Sequence, residues 1–351
     1  MALVAPARLA AAGPDGPDTL VSKPYLIRAA PSFPGGLFHW VDALADTSAG
    51  KTNAAHREQF LDTFGRPTPA DRDKISEFVN ARSEFLKRQQ AEAARDGSQV
   101  RVSALLGIFC AAGSVEEAMA TIRPRLPETG WAQLADALAW FRPKYEIIWN
   151  GGAVPSAFLS RARTDPHRGR LEDVLASMVR FYGVDAAEAK PPFVALVPVP
   201  PGHGTHAEAI GDVLLLEIRP NDGLADEASV IAHESAHWLW GLLQDERRKG
   251  LETFAARLDE RGRETYALFH EAIPTALGQG VTDRVFRPGS WSLDDPWYHT
   301  FDVDVCAKSI YPVVRYTLES GGALDEAFLR RAIDAAERGP AAPRGLNPRS
   351  P

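Results

Sequence analysis

The decapeptide IAHESAHWLW, residues 231–240, places two histidines four positions apart, with a glutamate directly after the first. On an α-helix, positions i and i+4 lie on one face, so His233 and His237 can direct their imidazole nitrogens at one point, each at the distance of about 2.0–2.1 Å that zinc requires. Glu234 is rotated by about 100° from His233, so it can reach a water on the metal without binding the metal itself. The stretch therefore predicts a zinc-binding helix.

The residues around this motif favour a metal site over a chance match. The flanking positions of the helix are apolar almost all round, and two histidines and a glutamate in so buried a helix need partners that offset their lost hydration. A metal ion supplies such partners, while the alternative is that core hydrogen bonds satisfy both histidines. Zinc lowers the pKa of a bound water toward about 7, and Glu234 can accept the proton while the water attacks a carbonyl.

A third protein ligand has to come from elsewhere in the chain, since zinc hydrolases use three and keep one position for water. The pattern with a further glycine and histidine after the motif is absent, because tryptophan and leucine occupy those positions. The best candidate is Glu271 in the helical segment ALFHEAIPTALG, where small neighbours allow close helix packing. His270, Glu252 and Glu264 are the alternatives.

This order of a strand, an HExxH helix, a connecting segment and a second helix with a glutamate resembles the gluzincin branch of the zincin metallopeptidases. The resemblance covers about 190–320, and its specific part is His233, Glu234, His237 and Glu271. It implies a zincin-like catalytic domain that cleaves a peptide or protein substrate. It also implies one Zn²⁺ ion, with the two histidines and Glu271 as ligands and Glu234 as general base.

The sequence departs from this branch at two places. An acid commonly lies four residues after the ligand glutamate and supports a ligand histidine, whereas this chain has Thr275 there. The Gly-Met-Glu-Asn motif that precedes the metal helix in aminopeptidase-like members is also missing. Glu217 in LLLEIRP is only weakly similar to the glutamate of that motif, and we interpret Glu217 as a surface residue at a strand end.

A further donor should face the developing oxyanion, and the segment DDPWYHTFDVDVCAKSIYP supplies the candidates. Their order is Tyr298, then His299, both in a loop bounded by proline and tryptophan, then Tyr311 within a helical pattern. Each of the three can instead be a packing aromatic. Asp302 and Asp304 can support the site, although acids at a helix start are the plainer interpretation.

The leading hypothesis is a zinc-dependent peptide hydrolase whose substrate backbone pairs with an edge strand at 213–218. One alternative is a catalytically silent, zinc-stabilised domain that binds a partner through the helical N-terminal half. Intact Glu234 argues against it, because a purely structural metal site has no use for a base. A second alternative is a zinc hydrolase of a non-peptide amide or ester, which the sequence does not separate from the first hypothesis.

The predicted fold class is α+β and predominantly helical, with a small sheet. Strands are expected at about 193–199 and 213–218, and the loop PGHGTHAEAIGD joins them. Helices are expected at 302–320 and 324–337, and an earlier one should stop at Gly278 and Gly280. The predicted regions are a flexible leader over 1–36, a helical N-terminal region over 37–190, a zincin-like region over 191–338 and a disordered tail over 339–351.

Composition bounds the remaining possibilities. Of 351 residues 45% are hydrophobic and 24% charged, as in ordinary soluble proteins, and the net charge of −7 comes without a basic cluster, so nucleic acid is not an expected partner. No apolar run approaches the roughly 18–20 residues of a membrane span. Cys110 and Cys306 should be buried free thiols; a disulfide between them would favour export. The location is cytoplasmic as the sequence stands, or exported if the N-terminus is a truncated signal, and the oligomeric state stays open.

Overall fold

Two compact units make up the chain in this computed structural model, which describes residues 18–47, 52–96, 100, 102–185, 192–202 and 204–339. Within the described residues, the first unit comprises 18–22, 26–164 and 192–223, and we name it the sheet unit. The second comprises 23–25, 165–185 and 224–339, and we name it the helical unit.

The sheet unit contains a five-stranded mixed sheet with helices around it. The strands are β1 (Thr19–Val21), β2 (Ile27–Pro31), β3 (Phe193–Pro198), β4 (Ala207–Ile210) and β5 (Val213–Ile218), in the order β1-β2-β3-β5-β4. β2, β3 and β5 run parallel, while β1 and β4 pair antiparallel with their neighbours. The helices are α1 (Phe33–Leu44), α2 (Asn53–Phe64), α3 (Pro69–Asp96), α4 (Ala104–Ala111), α5 (Val115–Ile122), α6 (Glu128–Trp149) and α7 (Ala153–Thr164).

One face of β5 looks into the core of the sheet unit. Successive strand residues point to opposite faces, so Val213, Leu215 and Glu217 share a face. Val213 and Leu215 belong to the buried cluster that the sheet forms with α1, α3, α4 and α6. Glu217 is consequently a carboxylate pointing toward an apolar core, and it is fully buried. Such a group requires hydrogen-bonding partners.

The helical unit carries the HESAH motif. Its helices are α8 (Arg168–Tyr182), α9 (Leu224–Gly241), α10 (Asp245–Ala256), α11 (Glu260–Thr275), α12 (Asp283–Phe286), α13 (Phe301–Glu319) and α14 (Glu326–Arg338), with a π-helical segment Ala276–Thr282 between α11 and α12. α9 starts with Asp226 and Glu227 in its first turn and is buried along most of its length. α11 packs against α9 and α13, which brings its side chains to the motif.

The structure confirms the α+β, predominantly helical class, and it has strands or helices at the positions predicted for β3, β5, α13 and α14. The predicted leader is wrong after residue 18, because β1 and β2 lie there and α1 starts at Phe33. The segment predicted as a loop between β3 and β5 contains β4. These strands are short and carry a weak local pattern, so pairing with distant strands determines them.

The structure also corrects the predicted regions. Residues 192–223 belong with the N-terminal helices and 165–185 with the C-terminal ones, so the chain does not divide near residue 190. Residues 340–351 of the predicted tail and 1–17 of the leader lie outside the described residues. β5 is not an edge strand, since β3 and β4 flank it, and it therefore has no free backbone edge for a substrate.

Three further expectations have clear outcomes. Cys110 and Cys306 are buried free thiols, as predicted. None of the described helices combines the length and hydropathy that crossing a membrane demands. Gly278 and Gly280 do not end a helix, because the chain continues through the π-helical segment Ala276–Thr282 into α12.

Gly278 instead allows a close approach to the motif helix. A Cβ atom there would lie 2.5 Å from the backbone oxygen of Ser229 and 3.1 Å from the Cβ of His233. We expect Gly278→Ala to destabilise the helical unit by about 1–3 kcal/mol, the usual effect of overpacking. Thermal unfolding followed by circular dichroism measures this change.

Gly250→Ala is the matched control. Gly250 lies inside α10, and nothing occupies the space where its Cβ would stand. Alanine has the higher helix propensity by about 1 kcal/mol, so this variant should be unchanged or slightly more stable. Equal melting temperatures for Gly278→Ala and wild type would refute the close-approach explanation.

Candidate metal centre

Three side chains of the helical unit converge on one point. α9 presents His233 and His237 on one face, one turn apart, and α11 presents Glu271 opposite them. The two Nε2 atoms are 3.2 Å apart, and each lies 3.5 Å from Oε2 of Glu271. The structure thus brings together the three residues that the sequence predicted as ligands.

The spacing of these three atoms fits a tetrahedral ion. Ligand atoms about 2.0–2.1 Å from a tetrahedral centre lie about 3.3–3.4 Å from one another. The observed separations of 3.2 and 3.5 Å bracket that value. Two imidazoles and one carboxylate are also a ligand set that catalytic zinc sites use. The residues present therefore fit Zn²⁺.

The electrostatics of the centre favour a cation. Burial raises the pKa of the Glu271 carboxyl, but hydrogen bonds from His233, His237 and His270 outweigh it and hold the pKa well below its usual range. Burial lowers the pKa of His237, yet its hydrogen bond with Glu271 and the charges of Glu234 and Glu271 leave that pKa raised. The negative field that favours a proton on His237 also favours a metal ion.

Glu234 follows His233 in α9 and is nearly buried. It is 9% exposed, and its carboxylate makes no hydrogen bond with any described residue. Its charge nevertheless raises the pKa of both His237 and Tyr298, so it acts on the same small region as the ligands. A carboxylate held beside a metal-binding triangle, and not engaged in it, is available to a water molecule.

Tyr298 contacts the triangle directly. Its hydroxyl donates a hydrogen bond to Oε2 of Glu271 at 3.0 Å, and its ring stacks on that of His233 at 6.2 Å between centroids. Burial, followed by the negative charge of Glu271, raises the pKa of the Tyr298 phenol far above its usual value. The hydroxyl therefore stays protonated and remains a donor.

The loop that carries Tyr298 is fastened by Asp304. Its Oδ1 accepts hydrogen bonds from the backbone N–H groups of Trp297 at 2.6 Å and Tyr298 at 3.0 Å. Its other oxygen pairs with Lys308 at 2.7 Å. Asp304 is both an acid in the first turn of α13 and a support for the candidate site, so both interpretations of this residue hold.

The remaining candidates lie at different distances from the centre. His299 is exposed, and its ring lies 4.4 Å from that of Tyr298 between centroids, tilted by 41°. His270 is exposed, with Nδ1 3.4 Å from Oε1 of Glu271, while its ring lies 4.9 Å from that of His237. Tyr311 is buried in α13 and accepts a hydrogen bond from Arg284 at 3.0 Å, so it is a packing aromatic.

The other proposed acids do not reach the triangle. Asp302, Glu252 and Glu264 are exposed on helices α13, α10 and α11, and the residues grouped closely enough to share an ion in this unit are His233, His237 and Glu271. Thr275, four residues after Glu271, is fully buried. Nδ1 of His233 is buried and has no hydrogen-bond partner among the described residues.

A second group of titratable residues lies in the sheet unit, and the sequence did not indicate it. Oε1 of Glu217 lies 2.8 Å from His39 Nε2, from His56 Nε2 and from the Thr52 hydroxyl. We call these four residues the Glu217 cluster. The interpretation of Glu217 as a surface residue is wrong. The one available signal was a charged residue inside the apolar strand VLLLEI.

Comparisons with known proteins add no relative. No protein-family model, no curated protein and no solved structure matches this chain. The geometry of the described residues is therefore the basis for a functional assignment.

Removal of the Asp304 carboxylate should loosen the Tyr298 loop. In Asp304→Ala the amides of Trp297 and Tyr298 lose a charged acceptor, and a hydrogen bond to a charged group contributes about 1.5–3 kcal/mol. We expect these two amides to exchange hydrogen at least tenfold faster, measured by mass spectrometry of the 291–301 peptide. Asp302→Ala, an exposed acid in the same helical turn, is the control and should leave this exchange unchanged. Equal exchange in both variants would contradict the assigned role.

Proposed function

We propose that this protein is a zinc-dependent hydrolase of the gluzincin type, with a zincin-like catalytic domain, and that it cleaves peptide bonds. The observation that carries the proposal is the triangle of His233, His237 and Glu271, whose sides of 3.2–3.5 Å suit tetrahedral zinc. Glu234, on the same helical turn and without a hydrogen bond among the described residues, supplies the base that such a hydrolase needs.

Each residue of the proposed site has a separate role. His233 and His237 would bind the metal through their Nε2 atoms, and Glu271 would bind it through Oε2. Zn²⁺ bound there would supply Lewis acidity and lower the pKa of a water molecule. Glu234 accepts the proton of the attacking water and delivers it to the leaving amine, since a carboxylate next to both groups can serve as base and then as acid.

Tyr298 is the proposed donor to the carbonyl oxygen as negative charge develops on it. Its hydroxyl lies beside the ligands and stays protonated, the two properties that this role requires. His299, exposed and adjacent in the loop, is the second candidate for the same role. Asp304 acts through the backbone of Tyr298 and is a positioning residue.

The two alternative functions differ in whether they require Glu234. A catalytically silent, zinc-stabilised domain needs the three ligands but no base, so the presence of the Glu234 carboxylate on the same helix favours a hydrolase. A zinc hydrolase of a non-peptide amide or ester would use the same residues. Cleavage assays with peptides and with simple amides or esters distinguish these alternatives from a peptidase.

Glu234→Gln should abolish turnover and retain metal. The amide keeps the size of the side chain but cannot accept the proton, so we expect peptide cleavage to fall by about 10²–10⁴-fold at unchanged zinc content. The measurement is mass spectrometry of a diverse peptide library incubated with zinc-loaded protein, beside metal analysis of the same samples. The sites of cleavage also separate endopeptidase from exopeptidase action.

Glu264→Gln is the control for that experiment, because this substitution makes the same chemical change at an exposed position of α11. It should cleave like wild type. Unimpaired cleavage by Glu234→Gln would overturn the proposed base. Silence of folded, zinc-loaded wild type toward peptides, together with hydrolysis of simple amides or esters, would favour the non-peptide alternative.

Tyr298→Phe should lower kcat more than it changes KM. The variant keeps the ring that stacks on His233 and removes the hydroxyl, and loss of one oxyanion donor reduces kcat by about 10²–10³-fold. Steady-state kinetics with the best library peptide measure the effect. Tyr316→Phe removes a hydroxyl from an exposed position of α13 and should have normal kinetics. A Tyr298→Phe enzyme with normal kcat would transfer the role to His299.

A further inference from the structure

The Glu217 cluster has an unusual arrangement of donors. Nε2 of His39, Nε2 of His56 and the hydroxyl of Thr52 all lie 2.8 Å from one atom, Oε1 of Glu217. A carboxylate oxygen has two lone pairs, so three straight hydrogen bonds to it cannot form together. The other oxygen of Glu217 accepts the backbone N–H of His206 at 2.8 Å, which fixes the plane of the carboxylate.

The distances suit a metal with right-angle coordination. Ligand atoms about 2.0–2.1 Å from an ion and at 90° to one another are about 2.9 Å apart, against about 3.3 Å for a tetrahedral ion. The separations of 2.8 Å match the first value. The ligand atoms of His39, His56 and Glu217 all lie within 4.8 Å of one another, so one ion can reach all three.

We propose that His39, His56 and Glu217 bind a divalent transition-metal ion within the sheet unit, with the Thr52 hydroxyl as a fourth ligand. Two imidazoles among the donors select a transition metal over Ca²⁺ or Mg²⁺, which prefer oxygen ligands. This site is separate from the His233 centre and does not depend on the proposed hydrolase.

His39 is held by packing as well as by its contact with Glu217. The ring of His206 stacks on that of His39 at 5.7 Å between centroids and supports its orientation.

The role that follows is structural. The ligands come from α1, from the start of α2 and from β5, and their side chains are buried, with His39, His56 and Glu217 between 0 and 2% exposed. An ion held there joins two helices to the sheet. A buried ion of this kind stabilises a fold, because the free energy of binding the metal adds to that of folding.

The test uses the full-length chain with His233→Ala and His237→Ala, which removes the other centre and leaves the Glu217 cluster intact. The protein is stripped with a chelator, dialysed separately against Mn²⁺, Co²⁺, Ni²⁺ and Zn²⁺, and assayed by plasma mass spectrometry. We expect one ion per chain for at least one of these metals, and a melting temperature at least about 5 °C above that of the stripped protein.

A triple variant that adds Glu217→Gln is the control and should bind less than a tenth of an equivalent. If the double variant binds no ion and its melting temperature does not respond to any of the four metals, the Glu217 cluster is a hydrogen-bond network only, and the proposal fails. It fails equally if the folded triple variant binds as much metal as the double variant. Because the double variant decides the question, the outcome stands whether or not the protein is a hydrolase.

Discussion

A carboxylate that leaves water must receive partners, and in both units of this protein the partners are histidines. Glu271 in the helical unit and Glu217 in the sheet unit each accept from two imidazoles, and in each case these contacts outweigh burial and keep the acid ionised. An unpaired ion in the fully buried position of Glu217 would cost several kcal/mol. The helices that supply the histidines therefore have to lie close to the element that carries the acid. This contact constrains the packing of each unit.

In the helical unit, a close backbone contact at Gly278 and the hydrogen bonds of Asp304 to the Tyr298 loop position the side chains around Glu271. Gly278 lets the π-helical segment lie against the turn of α9 that holds His233, since a side chain there would collide with the backbone of Ser229. Asp304 binds the two backbone N–H groups next to Tyr298, so the loop presents its hydroxyl to Glu271. Neither residue belongs to the triangle, yet each fixes a member or neighbour of it, as expected for support around a metal centre.

Local pattern explains which features the sequence could predict. The HESAH helix, β3, β5, α13 and α14 have a strong local apolar pattern. Glu271 was chosen from the resemblance to gluzincins, which place a glutamate on a helix downstream of the motif, and it lies 3.5 Å from both histidines. β1, β2 and β4 are 3–5 residues long, and pairing with distant strands defines them. The Glu217 cluster contains residues 39, 56 and 217. These positions are too far apart in the sequence for a local motif to indicate that they are in contact. The unit boundaries were missed for the same reason, because they depend on long-range contacts.

The two histidine–glutamate groups are alike in composition but differ in spacing and exposure, and these differences separate the chemistry that we propose for them. At the His233 centre the ligand atoms are 3.2–3.5 Å apart, and the Glu271 side chain is 33% exposed. At the Glu217 cluster the separations are 2.8 Å, and Glu217 is fully buried. A site that performs hydrolysis needs an open position for water beside a base, and Glu234 stands next to the first group. The second group has four donors enclosed in the core, an arrangement suited to holding structure in place.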